Sequence, residues 1–470
     1  MRFLFALLVM LAAAAPASAQ SGFFTYPVHK KTLPNGLDVV VIETPEFKEV
    51  LSFNTLVLAG SRNETEKGQS GLAHLFEHIL FRHRFGGKID GYTEAVRELG
   101  AHNNAFTTFD ITYYHPLTFT SRLERLAELE ASRFAALDFD EKIFQTETGA
   151  VLGEFRRIST DPRLKMEEEM LSALFPKHPY GHTTIGFYED VLEMPKRYQP
   201  ALDFYRGYYR PNNAVVIVTG DVRKDEVFAV VETHFGAWKQ APAPKVPPEG
   251  PPSGPKRQKV AWSAEVAPRV FVSYRMPAFD PASAETGVGQ LLPELLVSKS
   301  APLFQKLRYD QQTASELGFY DGTGSYESFD PRVLTVSAQL YSERMEKEGE
   351  AYENGVIADV EAALAGLKKF SSGADAAKTL EVLKSKYRYD FLSFLRSPAD
   401  IAQTFAWYYR FSRNPKVLDQ LVGTVSKVTP KDIDAFAKKY FVPERRVIVT
   451  MAHSPEAAKA AEAAAKKGGN

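Results

Sequence analysis

The sequence has no cysteine in 470 residues. No disulfide can staple this fold, and metal sites built on thiolates are excluded. Stability must come from buried apolar cores. Histidine is scarce, with 10 in all, so a histidine pair at a meaningful spacing stands out. An excess of either charge is also missing. The 57 Lys and Arg nearly balance 58 Asp and Glu, for a formal net charge of -1. No basic stripe dominates, so nucleic acid is not expected as a partner. The short cluster Arg82-His83-Arg84 reads as solvated surface. Beyond the first residues no apolar run is long enough to cross a bilayer, so no membrane span is expected. The one early run, residues 3–14, is too short to span. Arg2 precedes it and Ala17-Ser18-Ala19 follows, the pattern of a cleaved export signal over residues 1–19. The mature chain is then expected to begin at Gln20. No cysteine follows to accept a lipid. The product is expected in the periplasm, with the extracellular space as the alternative.

Hydrophobic content of 44% and charged content of 24% are ordinary globular values. A chain of this length exceeds one core and points to two or more domains. Residues 240–256 carry seven prolines and little apolar content, which reads as an extended linker. It separates residues 20–239 from residues 257–453, each within single-domain size. Residues 454–470 are rich in Ala, Lys and Glu and read as a polar tail, helical or frayed.

Periodicity sets the elements. Residues 23–44 read as paired strands turning at Asn35-Gly36. Residues 50–59, 105–114 and 215–219 read as strands, and 71–81, 92–99, 121–137, 141–158 and 163–175 as helices. Past the linker, residues 270–274 and 333–338 read as strands, and 285–297 and 351–367 as helices. Residues 204–219, FYRGYYRPNNAVVIVT, resemble residues 436–450, FAKKYFVPERRVIVT. Each stretch puts aromatics before a proline and closes its half in an apolar strand. The expected fold class is therefore α+β, with two related domains, each a mainly antiparallel sheet packed with helices.

The richest five residues are His74-Leu75-Phe76-Glu77-His78. Two imidazoles four apart on a helix lie on one face, one turn apart, and can bind a single metal ion. Glu77 lies beside them, placed to reach a metal-bound water without replacing it. His-x-x-Glu-His is the inverted form of the common zinc-peptidase helix motif. A third ligand must come from elsewhere. In residues 141–160, Ile143, Phe144, Val151, Phe155 and Ile158 recur at helical spacing. Glu147 and Glu154 are seven apart and share a face of that helix. Spacing alone leaves them as ligands or as solvated glutamates. Gly149 and Gly153 in the same helix suggest close approach of another helix. His83, His102 and His115 have no ligand spacing with the motif and read as structural.

The chain resembles the pitrilysin and insulysin family of zinc peptidases, in the two-domain branch with mitochondrial processing peptidase. Beyond the five-residue motif, the match runs through Leu33-Pro34-Asn35-Gly36-Leu37, Ala59-Gly60-Ser61-Arg62-Asn63-Glu64 and Gly100-Ala101-His102-Asn103-Asn104-Ala105-Phe106-Thr107. It continues in His178-Pro179-Tyr180-Gly181 and Tyr208-Tyr209-Arg210-Pro211-Asn212-Asn213. The resemblance implies that Glu154 is the third ligand of one zinc ion per chain. It implies that Glu147 orients a ligand or the water, and that Glu77 is the general base. Backbone groups at Asn104, Ala105 and Phe106 are expected to hold an extended peptide by strand addition. The implied activity is zinc-dependent endopeptidase or oligopeptidase, acting on peptides or unfolded chains. The alternative is a non-catalytic structural or peptide-binding subunit. Active members also use an arginine and, seven residues later, a tyrosine from the second half. Arg308 matches the arginine, but Ser315 stands at the tyrosine position, with Tyr309 and Tyr320 nearby at the wrong spacing. The resemblance therefore implies a heterodimer with a metal-free sister chain, or alternatively a homodimer.

Overall fold

In the computed structural model, residues 22–252, 254–320 and 328–468 are described. The expected export signal, residues 1–19, lies outside them, as do residues 469–470 of the polar tail. Among the described residues, twelve strands form two sheets. The first contains β1 (Val28–Thr32), β2 (Asp38–Glu43), β3 (Val50–Val57), β4 (Ala105–Thr107), β5 (Thr112–Tyr114), β6 (Leu117–Phe119) and β7 (Ala214–Gly220). Its order is β1-β2-β7-β3-β5-β4, with β6 also on β3. The second contains β8 (Lys256–Trp262), β9 (Arg269–Arg275), β10 (Glu316–Tyr320), β11 (Val333–Gln339) and β12 (Arg446–His453), in the order β10-β11-β9-β12-β8.

Both sheets are antiparallel except for one pair each, β2 with β7 and β12 with β8. These parallel pairs occupy equivalent places. In each half a helix, a short 3-10 turn opening on proline and an apolar strand follow one another: Tyr198–Tyr208, Pro211–Asn213 and β7, then Pro430–Tyr440, Pro443–Arg445 and β12. The repeat visible in the sequence is thus a repeat of structure. The two-domain α+β architecture stands as expected.

Strands β2 and β7 carry unbroken apolar runs, residues 39–42 and 214–218, because both faces are covered there. Val39, Val41, Val216 and Val218 pack with the first half's own helices. Val40, Ile42, Val215 and Ile217 share a core with Ile401, Phe405 and Tyr409 of the helix Pro398–Ser412, which comes from the second half. The converse holds on the other sheet. Phe271, Val447, Val449 and Met451 pack against Met166, Met170, Leu171 and Leu174 of the helix Pro162–Leu174, which comes from the first half. Each sheet is therefore closed by a helix from the other half. Among the described residues, no helix or strand lies between Phe235 and Lys256.

Two expectations fail. Residues 105–114 form two strands rather than one. Thr108 turns the chain: its N–H donates to Ile111 O at 2.8 Å, and its Oγ1 accepts from the N–H groups of Asp110 and Ile111, each at 3.2 Å. This makes β4 a short edge strand, paired only with β5 among the described residues. Second, among the described residues no helix approaches Gly149 or Gly153. Both are exposed, and a Cβ at either would meet nothing within 4 Å.

Candidate metal centre and active site

The helix Leu72–Phe81 carries the two histidines. Leu72, Ala73, Leu75, Phe76, Ile79 and Leu80 are buried and fix its inner face. The helix begins where Gly71 takes φ +91°, and a Cβ there would fall 2.7 Å from Ile185 O. Only glycine suits that corner. The Glu64 carboxylate accepts from the N–H groups of Gly71 at 2.8 Å and Ala73 at 2.7 Å. It satisfies orphan donors of the helix N-terminus from a distance in sequence. Burial pushes the Glu64 carboxyl well above the usual range, against those two bonds.

The second helix, Glu141–Ile158, is capped by Asp140, whose Oδ1 accepts from Ile143 N at 2.9 Å. It packs against the histidine helix through Phe144, Val151 and Phe155, and it turns Glu147 and Glu154 towards the imidazoles. Glu154 Oε2 lies 3.6 Å from His74 Nε2 and 3.7 Å from His78 Nε2. The three donor atoms all lie within 4.8 Å of one another. Metal–ligand bonds of about 2.0–2.2 Å in a tetrahedron place donors about 3.3–3.6 Å apart. The donor set, two imidazole nitrogens and one carboxylate, which leaves a fourth position for water or substrate, fits a catalytic zinc rather than a structural one.

Glu147 sits on the far side of His78, with Oε2 3.5 Å from Nδ1. That placement favours the tautomer whose Nε2 lone pair faces Glu154. Burial works against the His78 cation, but Glu147, Glu77 and Glu154 outweigh it and raise the pKa. His74 behaves oppositely. Its burial, with His78 adding to it, lowers the pKa to about 4. The imidazole is thus neutral and ready to donate a lone pair. Glu77 accepts a 2.7 Å hydrogen bond at Oε2 from Thr107 Oγ1. Burial raises its pKa, with the Thr107 bond and His78 opposing.

Of the other expected site residues, Ala105 and Phe106 lie in edge strand β4 beside the histidine helix, and Asn104 directly precedes it. The Asn104 Oδ1 accepts from Ala105 N at 2.9 Å. Arg308 behaves differently. Its Nη1 donates to Ala314 O in its own loop at 2.6 Å. Tyr309 is exposed, and the Tyr320 hydroxyl donates to Glu167 at 3.0 Å. Residues 82–84 are not the solvated surface that their composition suggests. Arg82 Nε is 3.1 Å from Glu147 Oε1, and its Nη1 is 2.8 Å from Asp90. Arg84 pairs with Asp140, and His83 is buried, accepting from Asp138 N at 3.0 Å. Sequence reasoning missed Thr107, Glu64 and Arg82. Thr107 closes the 100–107 motif and Glu64 ends the 59–64 motif, so a position was visible in each case, but no partner was.

Comparisons with known proteins agree with the two-domain fold. Residues 39–186 match the profile described as insulinase, peptidase family M16, and residues 198–374 match the peptidase M16 inactive domain. The zinc protease PqqE of Helicobacter pylori is 30% identical over 391 residues, covering 81% of this chain and 83% of that protein. The β subunit of the mitochondrial-processing peptidase of Caenorhabditis elegans is 26% identical over 208 residues, 44% of each chain. Among solved structures, a protease from Helicobacter pylori superposes with a TM-score of 0.78 at 27% identity, over 91% of this chain and 99% of that one. Pitrilysin shares the fold, with a TM-score of 0.71 at 19% identity, over 94% of this chain and 46% of that one.

Proposed function

Because the chain belongs to the M16, or insulinase, family of peptidases, we propose that it is an exported zinc-dependent endopeptidase or oligopeptidase. In this reading residues 20–239 are the zinc-peptidase domain, 240–256 the linker and 257–453 a related domain without a metal. His74, His78 and Glu154 are the ligands of one zinc per chain. The observation that carries the reading is the convergence of these three donors within 4.8 Å. When bound, the ion supplies a Lewis acid and lowers the pKa of a coordinated water to about 7. Glu77 accepts the proton of the attacking water and passes it to the leaving amine. Thr107 keeps Glu77 aimed, and Glu147 holds His78 in its donor tautomer. Asn104, Ala105 and Phe106 take the peptide as an added strand at the free edge of β4.

The partner follows from the second half. Ser315 offers no phenol, Arg308 is engaged by Ala314 O, and the Tyr320 hydroxyl is engaged by Glu167. These observations support a heterodimer in which a metal-free sister chain supplies the missing donors, over a homodimer relying on Arg308 and Tyr320. Periplasmic location rests on the export pattern of residues 1–19.

Metal analysis and a quenched-peptide assay on the pure chain test the proposal. About one zinc per chain is expected, and Glu154→Ala should remove it. Full metal content in that variant would refute the ligand set. Low turnover that rises on adding a sister chain supports the heterodimer. Full turnover alone, abolished by Arg308→Ala, supports the homodimer. Bound zinc with no turnover under any pairing would leave the non-catalytic reading.

A further inference from the structure

The half without metal ligands reaches into the active-site strand. The turn between β4 and β5 presents Asp110, a buried carboxylate with both oxygens engaged. Oδ1 accepts from the Tyr180 hydroxyl, and Oδ2 accepts from Phe329 N at 2.9 Å. Phe329 belongs to a segment fastened to the second half on either side. Phe279 N donates to Ser328 O at 3.0 Å, and Met276 N to Arg332 O at 2.7 Å. The next residue, Asp330, pairs with Arg62 and lies 3.2 Å from His178 Nε2, both in the first half. Its N–H reaches the Tyr180 hydroxyl at 3.3 Å. Arg62 also donates its own N–H to Phe109 O in the turn, at 2.7 Å. The neighbouring Gly60 lies so close that a Cβ would fall 2.3 Å from Thr108 O. One side of the turn is thus packed against residues 60–62, and the other is held by residues 329–330.

We propose that Asp110 and Asp330 are positioning residues through which the second half sets the place of edge strand β4. Only Thr108 and Phe109 separate Asp110 from Thr107, whose hydroxyl holds Glu77. A shift of the turn therefore moves both the strand that receives peptide and the donor that aims the base. This assigns the metal-free half a task within its own chain, in addition to any it performs across a dimer. The proposal rests on the peptidase reading for its kinetic consequence, and on the geometry alone for its effect on β4.

Asp110→Asn and Asp330→Asn test it, beside Tyr409→Phe. The last removes a different bond between the halves, from the Tyr409 hydroxyl to Asp38 Oδ2 at 3.2 Å, on β2, with β7, β3 and β5 between it and β4. Zinc content, thermal midpoint, KM and kcat are measured, with hydrogen exchange at the amides of Ala105 to Thr107. Both Asp variants are expected to keep zinc, to exchange faster at β4, and to lose about tenfold in kcat/KM on an extended peptide, mainly through KM. Tyr409→Phe should lower the midpoint while leaving KM and β4 exchange unchanged. Unchanged β4 exchange in both Asp variants overturns the proposal, as does an equal rise of KM in Tyr409→Phe. If Asp110→Asn does not fold, Asp330→Asn, which is partly exposed, decides by the same readings. A zinc-loaded wild-type chain that hydrolyses no peptide, alone or paired, sinks the peptidase reading instead. Hydrogen exchange then judges the clamp without it.

Discussion

The Glu77 carboxylate, the base in the proposed reaction, is held by Thr107, thirty positions away. Glu77→Gln should keep its zinc and lose most turnover, because an amide cannot accept the water proton. Loss of metal in that variant would sink its assignment as base. Thr107→Val keeps the shape and removes the donor. The lost bond is worth about 1–2 kcal/mol, so kcat/KM should fall roughly tenfold with zinc content unchanged. His83 offers a pH test away from the metal. Burial lowers its pKa to about 4, below the ordinary value of 6.5. The unfolded chain then binds more protons between those values, so stability should fall as pH drops from 6.5 towards 4. His83→Asn keeps an acceptor for Asp138 N, and chemical denaturation across this window should show a flatter pH dependence. The histidine pair was legible because its spacing on one helix sets both rings on one face, while Glu154 rested on the resemblance. Thr107, Glu64 and Arg82 were not legible, because each acts on a partner that only folding brings near.

At the scale of elements, the two site helices are positioned by different devices. Glu64 caps the histidine helix through space. Glu64→Ala should leave the buried N–H groups of Gly71 and Ala73 unpaired, at a cost of about 2–3 kcal/mol. Zinc affinity should weaken with it, measured by competition with a chelator. The glutamate helix carries the opposite opportunity. Gly149 and Gly153 face open space, so each change to Ala should stabilise by about 0.5–1 kcal/mol with unchanged activity. A loss of stability in either variant would mean that the exposed face has a neighbour. Helix periods and the apolar strands β3, β7, β9 and β11 were legible because burial imposes their pattern. The break between β4 and β5 was not. Thr, Phe and Tyr suit a strand wherever they stand, and the turn is closed by one residue, Thr108, through its N–H and its hydroxyl. The run of helices from Ala376–Ser393 to Pro430–Tyr440 went largely unread, because partners on several sides blur a single apolar face.

For the whole molecule, the traded helices decide how the halves relate. Met166, Met170, Leu171 and Leu174 are all buried against the second sheet. At about 1.5–3 kcal/mol for each side chain, withdrawing that helix would forfeit on the order of 6–12 kcal/mol. That is the size of a typical domain's entire margin. Neither half should fold by itself, and calorimetry of the whole chain should give one cooperative transition. Two separate transitions would contradict this. The repeat in the sequence hinted at two units, while the trade between them was invisible, since a buried stripe does not say whose sheet it covers.

A last consequence concerns the proline-rich span, residues 240–256. Once each half grips the other's helix, that stretch of backbone no longer holds the molecule together. A protease that severs it should leave two fragments running as one particle in gel filtration. They would part only in denaturant, and on dilution each would need the other present to regain its shape.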